Sequence, residues 1–445
     1  MNAFSVVFTL ACGLLLATLP RRWAAVPLLL GAVYATPWAV LSVGPANFTV
    51  LRILVAVGVV RTMFRGETPA HGIIGIDRFV VLWALVLMAT SVFHTSDAWV
   101  FRAGMLWSDL GTYYLLRVFV RDADEVRAIF RWVCILLLPV AMLMVLEKAT
   151  SHNFFTALGG FGDVVTRDGK VRARGPFVHP ILAGTVGATA VPIAIYLWRQ
   201  NRRFALTGFC AAAGIVLAST SSGPIMMVLF LLLGMCIWKV RSYLSAILWS
   251  GLLAVIALDI VMKDPVYFLM ARIDITGGST GWHRARLIQS ALQHINEWWF
   301  AGTDYTRHWM PTGIHANERH TDITNHLLAM GILGGLPLVL AFVLLLASAF
   351  RSVGRALRDN EAALFEHRFL IWTLGAMLFG HVMNFFSISL FDQSVVFLYL
   401  VLASIGALQY QVHTQRTKVE TTSRVHRQAA LGPGRRSNVP RPRRA

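Results

Sequence analysis

The chain has 445 residues, of which 56% are hydrophobic and 14% are charged, and its formal net charge is +18. Soluble globular domains carry about 25% charged residues, so the composition excludes an ordinary soluble domain. The apolar residues also come in runs of about 17 to 25, the length at which an α-helix crosses a bilayer. Strands of a membrane β-barrel would be about ten residues long with strict alternation, a pattern that the sequence lacks.

The apolar runs predict an all-α fold, a polytopic membrane bundle of about 12 to 13 transmembrane helices that occupies residues 1–410. In chain order, the predicted spans are 3–19, 24–41, 46–61, 77–93, 103–120, 126–149, 179–197, 204–219, 222–239, 243–261, 325–350, 369–388 and 391–410. Two long polar segments, 150–178 and 262–324, interrupt this series.

The distribution of arginine and lysine predicts which way the bundle faces. When sides are assigned alternately from the C-terminal end backwards, every short basic connection falls on the side of the C-terminus, which the positive-inside rule makes cytoplasmic. Residues 411–445 are rich in Lys and Arg with a single Glu, so they are predicted to form a disordered basic cytoplasmic tail. The expected partner of this tail is anionic membrane lipid and not nucleic acid.

The two long segments fall on the opposite, external side, and both are basic where the rule expects few cations. Their cationic residues are Arg167, Lys170, Arg172 and Arg174 in the first segment and Arg272, Arg284, Arg286, Arg307 and Arg319 in the second. So many guanidinium groups indicate an anionic ligand at the external face. Ordinary surface charge is the alternative, because the charge bias weakens in long loops.

The end of the first long segment has the features of an anion site. Residues 172–184 read Arg-Ala-Arg-Gly-Pro-Phe-Val-His-Pro-Ile-Leu-Ala-Gly and lead directly into an apolar helix. Arg172 and Arg174 each present a planar fork of donors that suits phosphate oxygens. The free N–H groups of the helix N-terminus would add to such a site.

The second long segment contains a predicted amphipathic helix over residues 281–293. Its apolar stripe consists of Leu287, Ile288, Ala291 and Leu292. Arg284 lies one turn before Ile288 and can therefore point towards the membrane-facing side. The alternative is a structural cap over the bundle, in which Arg284 pairs with an acid such as Asp274.

Polar residues cluster where the chain re-enters the membrane, namely His315, His320, Asp322, Asn325 and His326. A histidine can accept a proton near neutral pH, and a neighbouring acid could orient it. Simple surface placement is the alternative. A zinc site is not favoured, because the cluster has no His-Glu-x-x-His pattern and no cysteine. Arg52, inside an apolar run, is costly there unless it is paired, so it has either a structural or a supporting role.

Three features in this order resemble the O-antigen ligase and O-antigen polymerase superfamily of bacterial inner-membrane glycosyltransferases. They are an arginine-bearing segment before one helix, a long external loop that opens on an arginine-bearing helix, and a histidine shortly before the Gly-Ile-Leu-Gly helix start at 331–334. The motifs cover about residues 170–350, and the topology covers the whole chain. The resemblance implies that 262–324 is a large periplasmic loop.

The resemblance also implies a metal-independent, inverting transfer that uses no cofactor. A glycan would move from a polyprenyl diphosphate carrier to a hydroxyl of a glycan or lipid-linked acceptor. Arg174 or Arg172 would bind the diphosphate together with Arg284. His320, reached by counting back from Gly331 at the family's interval, would activate the acceptor, with His326 as the second candidate. The supporting residues would be Asp322, Asn325 and Arg52.

Two questions stay open at the level of sequence. A transporter or flippase of lipid-linked oligosaccharide is the main alternative function, although such a protein should show two similar halves with charges near the bilayer midplane. No internal repeat is recognisable, and most charges lie at helix ends. Within the enzyme hypothesis, the residues do not separate a ligase from a polymerase.

Overall fold

The computed structural model describes residues 1–44, 46–272, 281–314 and 316–409. The chain is 74% helical with almost no sheet, which confirms the predicted all-α class. The basic tail predicted at 411–445, His315 and Asp274 lie outside the described residues.

The helices alternate with short connections over the first part of the chain and with longer loops after residue 150. In chain order they are α1 (Ala3–Thr18), α2 (Arg21–Tyr34), α3 (Val50–Arg65), α4 (Gly75–Ser91), α5 (Ser96–Phe119), α6 (Ala123–Thr150), α7 (Pro180–Ala188), α8 (Ala190–Leu197), α9 (Arg202–Ala218), α10 (Ser222–Cys236), α11 (Leu244–Val261), α12 (Leu269–Arg272), α13 (Gly281–Gln293), α14 (Ile295–Trp298), α15 (His326–Asp359), α16 (Phe365–Asn384) and α17 (Val395–Gln409).

Two antiparallel hairpins add the little sheet that the described residues contain. Their strands are β1 (Val40–Val43) with β2 (Ala46–Thr49), and β3 (Val165–Arg167) with β4 (Lys170–Arg172). The predicted spans 24–41 and 46–61 are wrong where they overlap the strands of the first hairpin. Because a proline disfavours helix at the residue before it, Pro37 stops α2 early, and helix resumes only at Val50.

Several helices are long and apolar enough to cross a membrane, which indicates a membrane protein. Among the described residues five helical stretches meet this criterion, namely Ala123–Thr150, Pro180–Leu197, Ser222–Val261, His326–Asp359 and Asp392–Gln409. α11 buries none of its side chains and exposes large apolar groups such as Leu248 and Trp249. A helix that is apolar all round and uncovered by protein suits a lipid environment.

The core lies around α17. Every residue from Val395 to Leu408 is buried, and the helix packs against α5, α15 and α16. Around this axis α6 packs on α9, α4 on α15 and α10 on α16. The core therefore joins helices from both halves of the chain.

Several loops meet at one end of the bundle, which we call the loop face; it is formed by residues 151–179, 219–221, 281–314, 316–325 and 385–394. The Nε2 of Gln393 donates a hydrogen bond to the carbonyl of Pro176 at 3.1 Å. The amide of His326 donates to the carbonyl of Phe385 at 2.8 Å. The first of these bonds ties together two loops whose bonded residues, Gln393 and Pro176, are 217 positions apart in sequence.

The long helix α15 is interrupted near the loop face. Gly335 has φ +71° and ψ −171°, which breaks the helical ladder. The freed backbone groups bond to the preceding loop: the amide of Leu336 donates to the carbonyl of Trp299 at 2.7 Å, and the carbonyl of Ile332 accepts from the amide of Thr303 at 2.9 Å. The loop is therefore joined to the helix through backbone hydrogen bonds.

Gly335→Ala is expected to destabilise the protein. A Cβ at this position would lie 2.5 Å from the carbonyl carbon of Phe300, and the positive φ is strained for any L side chain. The strain alone costs about 1–3 kcal/mol. Thermal unfolding of the detergent-solubilised protein measures the effect. Gly354→Ala in the same helix is the control, because its Cβ would meet no atom within 4 Å. Equal unfolding temperatures for the two variants would contradict the interpretation.

Candidate functional site

Three arginines are buried at the loop face. The exposed fractions of Arg172, Arg174 and Arg284 are 7%, 9% and 9%. In the described part of the chain, each has a buried Nε without a hydrogen-bond partner. Burying a charged group is costly unless it is paired and hydrogen-bonded. An anion at this position would supply the missing acceptors.

Separate elements position Arg172 and Arg284. Arg172 ends β4, opposite Val165 of β3, and one terminal nitrogen donates to the Oγ of Ser221 at 2.7 Å. Arg284 lies in the first turn of α13, which is held by the buried side chain of Leu287 on the same helix. Among the described residues the Nε of Arg284 has no hydrogen-bond partner.

The charge of Arg172 acts on Arg284, and the charge of Arg167 acts on both arginines. Burial lowers the pKa of Arg284 to about 10, the charges of Arg167 and Arg172 lower it as well, and Asp322 opposes them. Burial also lowers the pKa of Arg172, with a further contribution from Arg167. Arginine stays protonated at neutral pH, so the structure concentrates positive charge at this point. Arg172 and Arg284, predicted to share a site, thus lie close enough for the charge of Arg172 to act on Arg284.

Arg174 has different surroundings. Its guanidinium lies 4.9 Å from the ring centroid of Trp38 and donates to the carbonyl of Asp163 at 2.9 Å. Burial lowers the pKa of Arg174, while the carboxylates of Glu147 and Asp163 raise it. Because nearby carboxylates already balance Arg174, Arg172 is the better partner for Arg284.

His179 is a neighbour of these arginines that sequence reasoning did not select. It caps α7, and its Nδ1 accepts a hydrogen bond from the amide of Ile181 at 3.2 Å. The positive charges of Arg172, Arg174 and Arg167 act on its ring. The sequence did hold a signal, because His179 directly precedes a proline that begins an apolar helix.

His320 lies in a second polar cluster. Its Nδ1 is 3.3 Å from the Oγ1 of Thr306. Burial lowers the pKa of His320, the carboxylate of Asp304 raises it, and the charge of Arg319 lowers it, with a net result below the ordinary value. The ring is therefore neutral at pH 7 and able to accept a proton. Asp304 also pairs with the Nδ1 of His94 at 2.6 Å, which anchors the loop to the α4–α5 connection.

Asp322 lies two residues after His320, and this position suggested that it orients the histidine. In the structure it does not. Its carboxylate interacts with His283 and Arg284 instead, and its carbonyl accepts a hydrogen bond from the Nε2 of His283 at 3.1 Å. Burial raises the pKa of Asp322, and the neighbouring His283 and Arg284 oppose that rise. Asp322 is thus a partner of the arginine cluster, while Asp304 takes the place beside His320.

Asn325 and His326 begin α15. The side chain of Asn325 accepts a hydrogen bond from the amide of Leu328 at 3.0 Å, as an N-cap does. His326 is 4% exposed, packs on the ring of Phe385 at 4.7 Å between centroids, and accepts at Nδ1 from the amide of Leu390 at 3.2 Å. The second candidate base is therefore a core residue with one nitrogen already in use.

Arg52 lies in a separate internal cavity of about 120 Å³ that is also lined by Asp109, Asp392 and His326. Its Nε donates to the Oγ of Ser108 at 3.2 Å, and the carboxylates of Asp109 and Asp392 act on its charge. Arg52 is thus hydrogen-bonded at this cavity, near two carboxylates, and is not part of the arginine cluster.

Fold and site together define an all-α protein with apolar helices of membrane length and a cluster of buried, incompletely paired arginines at one end. No protein-family model and no curated protein matches the chain.

Proposed function

We propose that the protein is a bacterial inner-membrane glycosyltransferase, a surface-polysaccharide polymerase or an O-antigen ligase. It moves a glycan from a polyprenyl diphosphate carrier to an acceptor hydroxyl at the periplasmic face. The observation that supports the proposal is the pair of buried arginines Arg172 and Arg284: the charge of Arg172 acts on Arg284, and each Nε lacks a hydrogen-bond partner among the described residues. A diphosphate has the charge and the acceptor oxygens that two arginine forks require.

The proposed topology supports this function. The positive-inside rule places the loop face, with the large loop 262–324, in the periplasm and the tail 411–445 in the cytoplasm. The carrier lipid then stays among the helices of a polytopic bundle. Its diphosphate lies at headgroup depth beside the arginines, and its sugar reaches the polar loop above them.

The transfer forms one bond and breaks one bond at the anomeric carbon. The acceptor oxygen attacks that carbon, the bond to the diphosphate breaks, and polyprenyl diphosphate leaves with the electron pair. Arg172 and Arg284 stabilise the negative charge that develops on the leaving group. His320 accepts the acceptor's proton and later releases it to water. Attack from the face opposite the leaving group inverts the configuration.

The acid side of the pH profile is expected to move in opposite directions in two variants. A base acts when neutral, so activity falls as the pH drops through the pKa of His320. Asp304→Asn removes a charge that raises this pKa, so the fall moves to lower pH. Arg319→Ala removes a charge that lowers it, so the fall moves to higher pH. The dependence of kcat/KM on pH reports both, and shifts in the same direction would contradict the role of His320.

Reconstituted proteoliposomes test the proposed function directly. They contain the purified chain and a polyprenyl-diphosphate-linked oligosaccharide, and each acceptor is added in a separate reaction. Release of polyprenyl diphosphate together with a longer glycan identifies a polymerase, while transfer to lipid A-core identifies a ligase. The absence of released carrier with every acceptor would contradict a transferase.

A transporter of the same lipid-linked glycan is the second candidate, and the internal cavity favours it. Arg52, Asp109 and Asp392 place charge between helices, as substrate and proton pathways do. In the same proteoliposomes a transporter would move the intact lipid to the other leaflet without cleaving the sugar–phosphate bond. Asp109→Asn would abolish that movement, whereas a transferase would retain chemical turnover in this variant.

A further inference from the structure

Two histidines and one glutamate converge on the loop that precedes α15. One ligand atom from each of His294, Glu297 and His308 lies within 4.8 Å of the other two. His294 and Glu297 are three residues apart at the start of α14, so both side chains lie on one side of this short helix. His308 comes from a different segment, the turn Arg307–Trp309.

The ligand atoms of this triad are already oriented. The Nδ1 of His294 is 2.8 Å from the carbonyl of Ser290, which can only accept, so Nδ1 carries the hydrogen and Nε2 keeps its lone pair. The Nε1 of Trp309 donates to the Oε2 of Glu297 at 2.9 Å. Metal-binding histidines and carboxylates are held in this way by partners behind them.

Ring contacts hold the two imidazoles in place. His294 stacks on Trp309 at 5.8 Å between centroids with planes 19° apart, and His308 stacks on Tyr305 at 5.2 Å with planes 7° apart. The side chains of His308 and Glu297 are 39% and 37% exposed, so an ion and a water ligand can reach them.

In the structure the Nε2 of His308 donates to both carboxylate oxygens of Glu297, at 3.0 and 2.9 Å. Both carboxylate oxygens of Glu297 therefore face the imidazole of His308. A cation between these groups would take the place of the His308 proton, as metals do when they bind imidazole.

We infer that His294, Glu297 and His308 bind a divalent transition metal ion, with Zn²⁺ as the best-fitting ion. Two imidazoles and one carboxylate are a common zinc donor set, and water completes a tetrahedral site. Zinc-bound ligand atoms lie closer together than 4.8 Å, so the side chains move inwards when the ion binds. The site goes beyond the proposed glycan transfer, in which the metal takes no part.

The expected effect of the ion is to stabilise the loop that carries His320. It would link α14 to the turn Arg307–Trp309. The amides of Thr306 and Arg307 both donate to the carbonyl of Arg319 at 3.0 Å, and Arg319 directly precedes His320. The metal would therefore order the segment on which the proposed base depends.

Zinc titration of the full chain tests the inference. The protein is purified without a polyhistidine tag, stripped with a chelator and titrated with Zn²⁺ by calorimetry, with Co²⁺ absorption as a second probe. We expect one ion per chain. Three variants, His294→Ala, Glu297→Gln and His308→Ala, should each abolish this binding. Trp309→Phe should weaken it by about 10- to 100-fold, the usual effect of losing such a second partner.

His152→Ala is the matched control, because His152 is an exposed loop histidine outside the triad, and this variant should bind zinc normally. Zinc should also raise the unfolding temperature of the wild type and of this control, but not that of the triad variants. The inference is overturned if the wild type binds no stoichiometric ion or if the triad variants bind as the wild type does. Neither result bears on glycan transfer, since metal binding is measured without a glycan.

Discussion

Arg284→Ala is expected to lower the rate of glycan transfer by about 10²- to 10³-fold, equivalent to about 2.7–4 kcal/mol of transition-state stabilisation. Arg284 is 9% exposed and its Nε has no partner within the described part of the chain, so this donor is free for the leaving diphosphate. Release of polyprenyl diphosphate in proteoliposomes measures the loss. Arg284→Lys should also be impaired, because an ammonium group keeps the charge but loses the planar fork.

Arg286→Ala is the matched control for this prediction. Arg286 lies two residues further along α13, is exposed, and donates to the Oε1 of Gln289. Both variants remove one positive charge from the same helix, so a general electrostatic effect would affect them alike. Normal transfer by Arg284→Ala, or an equal loss in Arg286→Ala, would contradict a specific diphosphate contact.

His320→Ala is expected to lower kcat by about 10²- to 10⁴-fold, the range associated with loss of a general base. The half-buried ring lies beside Thr306 and within the field of Asp304, and neither group replaces it as a proton acceptor at the same position. Affinity for the donor should change little, because the arginine cluster remains intact. Steady-state kinetics in proteoliposomes separate the two effects.

The pH profile of the His320→Ala variant provides an internal check. Its residual activity should no longer fall on the acid side as the wild type does, since the titrating group is gone. A folded His320→Ala protein with wild-type turnover would exclude this base. His179, on which the charges of the arginines act, would then be the next candidate base.

The sequence was sufficient for the helices because long apolar runs carry a strong signal. The predicted span 126–149 agrees closely with α6 (Ala123–Thr150), and the helix expected at 281–293 is α13 (Gly281–Gln293). The hairpin β1–β2 was missed because its strands are four residues each and their apolar residues continue the neighbouring runs. Short apolar runs do not distinguish a strand from a helix by periodicity alone.

The site was only partly predictable, for a different physical reason. The excess of arginine in the two loops predicted to be external indicated Arg172 and Arg284, because a charge bias is visible in the local sequence. The partner of His320 could not be read in this way, since Asp304 is 16 positions away and reaches it only through the folded loop. Asp322 was chosen because it is close in sequence, yet its carboxylate interacts with His283 and Arg284. For the zinc site, the His294–Glu297 spacing was visible but the approach of His308 was not.

The exposure of α11 has a consequence for where the arginine cluster can stand. This helix has 18 residues, or about 27 Å of length, and none of its side chains is buried by protein. A helix that faces lipid can tilt to match the thickness of the bilayer around it. α12 follows α11 and packs against α13, which carries Arg284. In the proposed transferase, the height of that guanidinium above the phosphate plane should therefore follow the acyl-chain length of the host bilayer, which would make the lipid itself a determinant of donor binding.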